Sequence, residues 1–157
     1  MFLVLGYGNP LRQDDGFGWR AVERLRTLEL PKGVEIRALH QLTPEISEDI
    51  AAADGVIFLD ARADGVPGEI RESAVEAGVE SSFLAHYVDP PMLLALSQHL
   101  YGRSPHAILL TVTGSAFGLG ESLSDAVESA VDESLARVQD ILAAWSATLS
   151  LSKGDGE

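Results

Sequence analysis

Cysteine is absent from the chain, and this one absence removes several chemistries together: disulfides, iron–sulfur clusters, thiolate zinc sites and a cysteine nucleophile. Any metal must be held by oxygen and imidazole. Basic residues are scarce, with 11 Lys and Arg against 24 Asp and Glu and a formal net charge of -13. Such a surface repels a phosphate backbone, so no nucleic acid is expected as a partner, and a basic target suits it better. Long apolar runs are also missing. The longest are strand-sized, which argues against a membrane span, and no basic segment precedes the first of them, which argues against a signal peptide. The location expected is cytoplasmic.

What is present suits one globular domain. The 157 residues, 46% hydrophobic, can bury a respectable core. A single α/β domain is expected over 1–150, with 151–157 a flexible polar tail, and the protein is expected to be a monomer.

The chemistry gathers at Gly6-Tyr7-Gly8-Asn9-Pro10-Leu11-Arg12-Gln13-Asp14-Asp15-Gly16-Phe17-Gly18. Before it, Phe2 to Leu5 is an unbroken apolar run, the pattern of a strand covered on both faces. After it, Phe17, Ala21, Val22, Leu25 and Leu28 recur at helical spacing, which puts Asp14 and Asp15 at a helix N-terminus on the carboxyl edge of a sheet. One acid there is ordinary capping; a second is not explained by capping, and two like charges together call for a cation or hydrogen bonds. A dinucleotide fingerprint fails, because Leu11 stands where the third glycine is needed and His40 where the acid belongs. A P-loop fails because Asp14 and Asp15 would repel phosphate.

Farther on, Val34, Ile36 and Ala38 alternate with polar residues as in a strand near an edge, followed by His40-Gln41-Leu42. Thr43-Pro44-Glu45 reads as an N-cap with proline at the first helical position. Val56 to Leu59 repeats the doubly buried strand and ends in Asp60. Residues 69–75 suit an edge strand. Asp89-Pro90-Pro91 starts a helix in which Met92, Leu93, Leu96 and Leu100 face the sheet. Residues 106–112 form the last strong strand, a glycine-rich loop follows, and Ser122 opens a long helix carrying Val127, Val131, Leu135, Val138, Leu142, Trp145 and Leu149 on one stripe. The alternation predicts a three-layer α/β sandwich with a mostly parallel five-stranded sheet, one edge strand antiparallel, and ligands at the carboxyl ends of the strands.

Asp15, Asp60 and His86 can meet at that edge, and two carboxylates with an imidazole suit nickel, zinc or manganese. Spacing alone favours the plainer reading, a solvated histidine and two acids that cap turns. His99 and His106 read as surface or strand-start residues.

Taken together, the glycine-rich segment with Asp14-Asp15-Gly16-Phe17-Gly18, then Leu59-Asp60-Ala61, then His86 ahead of a leucine-rich helix resemble the hydrogenase maturation endopeptidases over nearly the whole chain. The resemblance implies a hydrolase that removes the C-terminal extension of the nickel-iron hydrogenase large-subunit precursor after nickel insertion. It implies that Asp15, Asp60 and His86 are the metal-binding and catalytic residues, that the nickel arrives with the precursor, and that zinc or cadmium substitutes in vitro. Where many members carry an Asp-Gly-Gly-Thr type motif this chain has His40-Gln41-Leu42, a variant that resembles the branch serving bidirectional hydrogenases. Where relatives often have Pro-Glu after the last strand it has Gly114-Ser115-Ala116. No His-Glu-x-x-His motif is present, so no general peptidase machinery can be located. The competing reading is a non-enzymatic nickel carrier or chaperone.

Overall fold

The computed structural model describes residues 1–78 and 87–154. Strands β1 (Phe2–Tyr7), β2 (Val34–Leu39), β3 (Gly55–Arg62), β4 (Ile70–Ala74) and β5 (His106–Thr113) form one sheet in the order β2-β1-β3-β5-β4. β2, β1, β3 and β5 run parallel, and only the edge strand β4 is antiparallel, from Ile70 opposite Val112 to Ala74 opposite Ile108. Helices α1 (Phe17–Leu25), α2 (Ile46–Ala52), α3 (Pro90–Tyr101) and α4 (Asp125–Gly154) complete the expected three-layer α/β sandwich.

The strand period of two divides the core cleanly. Phe2, Val4, Ile57, Leu59, Leu110 and Val112 pack with α1 and α4. Leu3, Leu5, Val56, Phe58 and Ala107 pack with α2 and α3. This double coverage is why β1 and β3 read as continuous apolar runs. α1 sits unusually close to β1: a Cβ on Gly6 would lie 2.2 Å from the Gly18 carbonyl oxygen, and one on Gly18 would lie 2.6 Å from the Tyr7 nitrogen.

Several local expectations shift. α1 ends at Leu25, which leaves Leu28 38% exposed. α2 begins at Ile46, because Thr43 and Pro44 spend their carbonyls on a turn that accepts from Ile46 and Ser47. On α3, Asp89 caps the helix by accepting from the Met92 amide at 3.0 Å, as its Pro-Pro start suggests, and Gly102 ends it in the left-handed region. Leu94 is buried beside Leu93, while Leu100, in the last turn, is 58% exposed. α4 opens after Ser124 rather than Ser122: the Ser124 hydroxyl accepts from the Val127 amide at 3.4 Å and its carbonyl from Glu128. The stripe of α4 is buried from Val127 to Leu142, Trp145 stacks obliquely on Phe2, and the helix continues to Gly154, into the segment expected as a tail. Among the described residues, no helix is long and apolar enough to cross a membrane.

Candidate functional site

The turn after β1 explains why two adjacent acids are needed. The chain bends sharply at Gly8 (φ +139), where a Cβ would lie 2.1 Å from the Asp15 carbonyl oxygen. Asn9 turns the backbone by accepting from the Leu11 amide at 2.9 Å, and a short 3-10 turn over Gln13–Gly16 leads into α1. Neither acid caps that helix, whose N-cap Gly16 has no side-chain bond.

Asp14 points inward and is fully buried. Its Oδ1 accepts from the Ser124 amide at 2.7 Å and its Oδ2 from the Ser115 and Ala116 amides at 2.8 and 3.0 Å. Burial alone would raise the pKa of this carboxyl; the three amides outweigh burial and hold it below the usual carboxylate value. Around it the loop after β5 is stitched to the first turn: the Gln13 amide donates to Gly120, the Gly120 amide to Leu11, and the Gly118 amide to Gln13 Oε1. Gln13 itself takes a positive φ of 49°, uncommon for a residue with a side chain. Asp14 is therefore a structural pin.

Asp15 points the other way. Its Oδ2 accepts from the Asn9 amide at 2.8 Å, and its charge is felt at Asp60. Asp60 lies two residues beyond Phe58 on the same face of β3, and its Oδ1 accepts from the Ala61 amide at 2.8 Å. Its pKa rises to about 7, chiefly because burial disfavours the charge and further because Asp15 is close; the Ala61 amide, which donates to it, and the nearby Tyr7 hydroxyl oppose the rise. Tyr7 is pushed well above its ordinary value by burial first and then by the negative charge of Asp60, with a smaller push from Asp89. The carboxyl ends of β1 and β3 and the start of α3 thus gather Asp15, Tyr7, Asp60 and Asp89.

The structure brings together two of the three residues expected to act, Asp15 and Asp60. The third, His86, lies outside the described residues, three positions before the α3 cap. Among the described residues no group of three or more His, Asp or Glu side chains is arranged to hold a metal ion. His99 and His106 are exposed, His106 at the opposite end of the sheet where β5 begins. His40 follows β2 at the same edge as Asp15. Its ring lies 4.8 Å from that of Trp19, whose indole N–H is shared between the carbonyls of Gly8 and Leu39 at 2.9 and 3.0 Å. Sequence reasoning missed Tyr7 and the division of labour between Asp14 and Asp15. The first was detectable as the residue facing Asp60 once β1 and β3 are paired; the second depends on a loop about 100 residues away.

Two short carboxylate-bearing turns at neighbouring parallel strand ends can share one cation. For Asp60, burial and the neighbouring Asp15 charge make the ionised form costly without one. Carboxylate oxygens alone suit hard divalent ions such as magnesium, calcium or manganese; nickel or zinc calls for an imidazole beside them.

No family model matches the chain. A solved structure of a hydrogenase 2 maturation peptidase from a Thaumarchaeota archaeon is 30% identical, with a TM-score of 0.68 over 90% of this chain and 97% of that one. The hydrogenase-maturating endopeptidase HybD of E. coli is 28% identical, with a TM-score of 0.71 over 90% and 91%. A protein of Methanocaldococcus jannaschii, provisionally named a hydrogenase maturation protease, is 29% identical over 87% of this chain and 96% of its own length.

Proposed function

Because this chain belongs to the hydrogenase maturation endopeptidase family, a group of hydrolases, we propose that it removes the C-terminal extension of a nickel-iron hydrogenase large-subunit precursor by recognising the nickel already seated there. The observation that carries this reading is the meeting of Asp15 and Asp60 at the carboxyl edge, each with a carboxylate oxygen that accepts from no backbone amide among the described residues. The contrast with Asp14, whose two oxygens are saturated by three amides, makes the point: one acid of the pair is spent on the fold and its neighbour is left for chemistry.

The nickel belongs to the substrate. On this reading Asp15, Asp60 and His86 bind it, His86 entering from the family resemblance, and the grip sets one peptide bond of the precursor in place for hydrolysis. Binding of a cation by a chain with net charge -13 is electrostatically favoured from a distance as well. The chain has no cysteine and no His-Glu-x-x-His motif, so it lacks two common ways of attacking peptides indiscriminately, and specificity falls to the precursor's own metal. The His40-Gln41-Leu42 variant supports the narrower reading that the precursor is that of a bidirectional hydrogenase.

The test is intact-mass spectrometry of a cognate precursor incubated with the protein, with and without nickel. A C-terminal segment should be lost only from the nickel-loaded form, while casein and short peptides stay intact. Asp15→Asn or Asp60→Asn should abolish the loss in a folded protein. Equal cleavage of nickel-free precursor overturns nickel recognition; tight binding with no cleavage of any cognate precursor favours a carrier.

A further inference from the structure

We propose that Trp19 is the positioning residue for Asp15: its indole N–H grips the oxygen of the Gly8–Asn9 peptide, and the N–H of that same peptide fixes the Asp15 carboxylate where it can share a cation with Asp60. This rests on the reading just given for the two acids.

A trans peptide is rigid and planar, with its carbonyl and its N–H pointing in opposite directions. Both ends of the Gly8–Asn9 peptide are engaged. The Gly8 carbonyl accepts from the Trp19 indole N–H at 2.9 Å, and the Asn9 amide donates to Asp15 Oδ2 at 2.8 Å. Because the plane turns as a unit, holding its oxygen also aims its N–H. A donor at the oxygen polarises the amide as well and makes that N–H the stronger donor toward Asp15. The backbone contact beside it is equally close: a Cβ on Gly8, at φ +139, would stand 2.1 Å from the Asp15 carbonyl oxygen.

Trp19 is set in place by the packing of α1 on β1. A Cβ on Gly18 would stand 2.6 Å from the Tyr7 nitrogen, and the next residue of the helix is Trp19. Its indole N–H is shared with the Leu39 carbonyl at 3.0 Å, and that carbonyl also accepts from the Gly8 amide at 3.1 Å. The ends of β1 and β2 are thus tied together directly before the turn that carries Asp15. His40 lies against the indole, with ring planes at 53°. Trp19 is half-buried and belongs to neither apolar cluster of the core, so its ring is placed for these two carbonyls rather than to fill the interior.

Asp15 depends on this support more than its neighbour does. Among the described residues one backbone amide, that of Asn9, donates to its carboxylate, whereas the Asp14 carboxylate accepts from three. Groups that orient a metal ligand from behind typically change affinity by 10–100-fold when removed; Trp19 acts one bond farther back, so a loss of about tenfold is expected.

Two measurements on the full chain test this. The first is NMR detection of scalar coupling across hydrogen bonds, from the Asn9 amide nitrogen to the Asp15 side-chain carboxyl carbon and, as control, from the Ser124 amide nitrogen to that of Asp14. Both couplings are expected in the metal-free wild type. Trp19→Phe keeps an aromatic ring beside His40 and removes the donor; it should lose the Asn9–Asp15 coupling and keep the Ser124–Asp14 one. His40→Ala removes the neighbouring ring, leaves the indole N–H and should keep both. A benzothienylalanine at position 19, which replaces only the N–H by sulfur, should behave as Trp19→Phe does, and it decides the matter if the Phe variant fails to fold. The second measurement is calorimetric titration with cadmium, for which loss of the N–H should lower affinity about tenfold. The positioning role is overturned if the Asn9–Asp15 coupling survives loss of the N–H, if both couplings vanish together, or if cadmium affinity stays within about twofold of a wild type that binds it. If the wild type binds no cadmium while the Asn9–Asp15 coupling alone is lost with the N–H, the positioning contact stands and the cation reading of Asp15 and Asp60 falls.

Discussion

Replacing Asp14 by Asn changes one oxygen to an NH2 group and nothing else in shape, which makes it a sharp test of the pin. The remaining oxygen can stay on the Ser115 and Ala116 amides, as Oδ2 does now, but then the NH2 faces the Ser124 amide that Oδ1 now accepts at 2.7 Å. One charge-assisted bond is lost and two donors oppose each other in a buried place. A hydrogen bond to a charged group contributes about 1.5–3 kcal/mol net, so Asp14→Asn should cost about 2–3 kcal/mol. Asp14→Ala loses all three bonds and should cost about 4–6 kcal/mol on the same scale. For a chain of this size the Asn variant should melt about 4–12 °C lower. Urea unfolding at pH 7 measures both. The adjacent change, Asp15→Asn, is the control: it keeps an oxygen for the single Asn9 amide and removes a like charge beside Asp60, so its cost should be within about 0.5 kcal/mol of zero. The pH dependence has a definite sign. Because the folded pKa of Asp14 is depressed, its contribution is present above the unfolded value of about 3.9 and is lost as pH falls through the lower folded value. The gap between wild type and Asp14→Asn should therefore narrow as the pH is taken below about 4. A cost under about 0.5 kcal/mol for Asp14→Asn, or an equal cost for the two neighbours, refutes the reasoning.

Two further outcomes are expected. His40→Ala, which removes one ring of the Trp19–His40 pair, should leave cadmium affinity intact while slowing precursor processing; lost metal binding would make His40 a ligand instead. Asp89→Ala should destabilise the fold by about 1 kcal/mol through loss of the α3 cap, as read by thermal melting, and an unchanged Tm would show that Pro90 and Pro91 suffice to start the helix.

Much of this architecture is legible in the sequence for a local reason. Phe2 to Leu5 and Val56 to Leu59 are apolar at every position because both faces of the sheet are covered, so their central place follows from composition, and Asp60 is marked by ending such a run. What is not legible depends on distant chain. Nothing near Asp14 and Asp15 says which turns inward; that is decided by where residues 115–124 return. The same contact moves the start of α4, since Asp14 grips the amide of Ser124 and makes it, rather than Ser122, the residue from which the helix opens. Tyr7 reads in sequence as a spacer between two glycines, and only the register of β1 on β3 sets it beside Asp60. Leu100 keeps the helix phase of the buried Leu93 and Ser97 but sits in the last turn of α3, where it is 58% exposed.

The contact between Gly6 and Gly18 also limits how the protein can change by mutation. A methyl group on Gly6 would sit 2.2 Å from the Gly18 carbonyl oxygen, against the 3.4 Å at which ordinary contact begins, so α1 would have to retreat by about the difference, 3.4 − 2.2 = 1.2 Å. Asp15 stands two residues before α1 and would be carried along, away from Asp60. The obstacle is backbone on the far side, so no second substitution at position 18 can make room, and a lineage that alters either glycine has no compensating step within that contact. An alanine at position 6 would leave every acidic and aromatic group of the site in the chain while separating the two carboxylates, a silent-looking change far more damaging than its size.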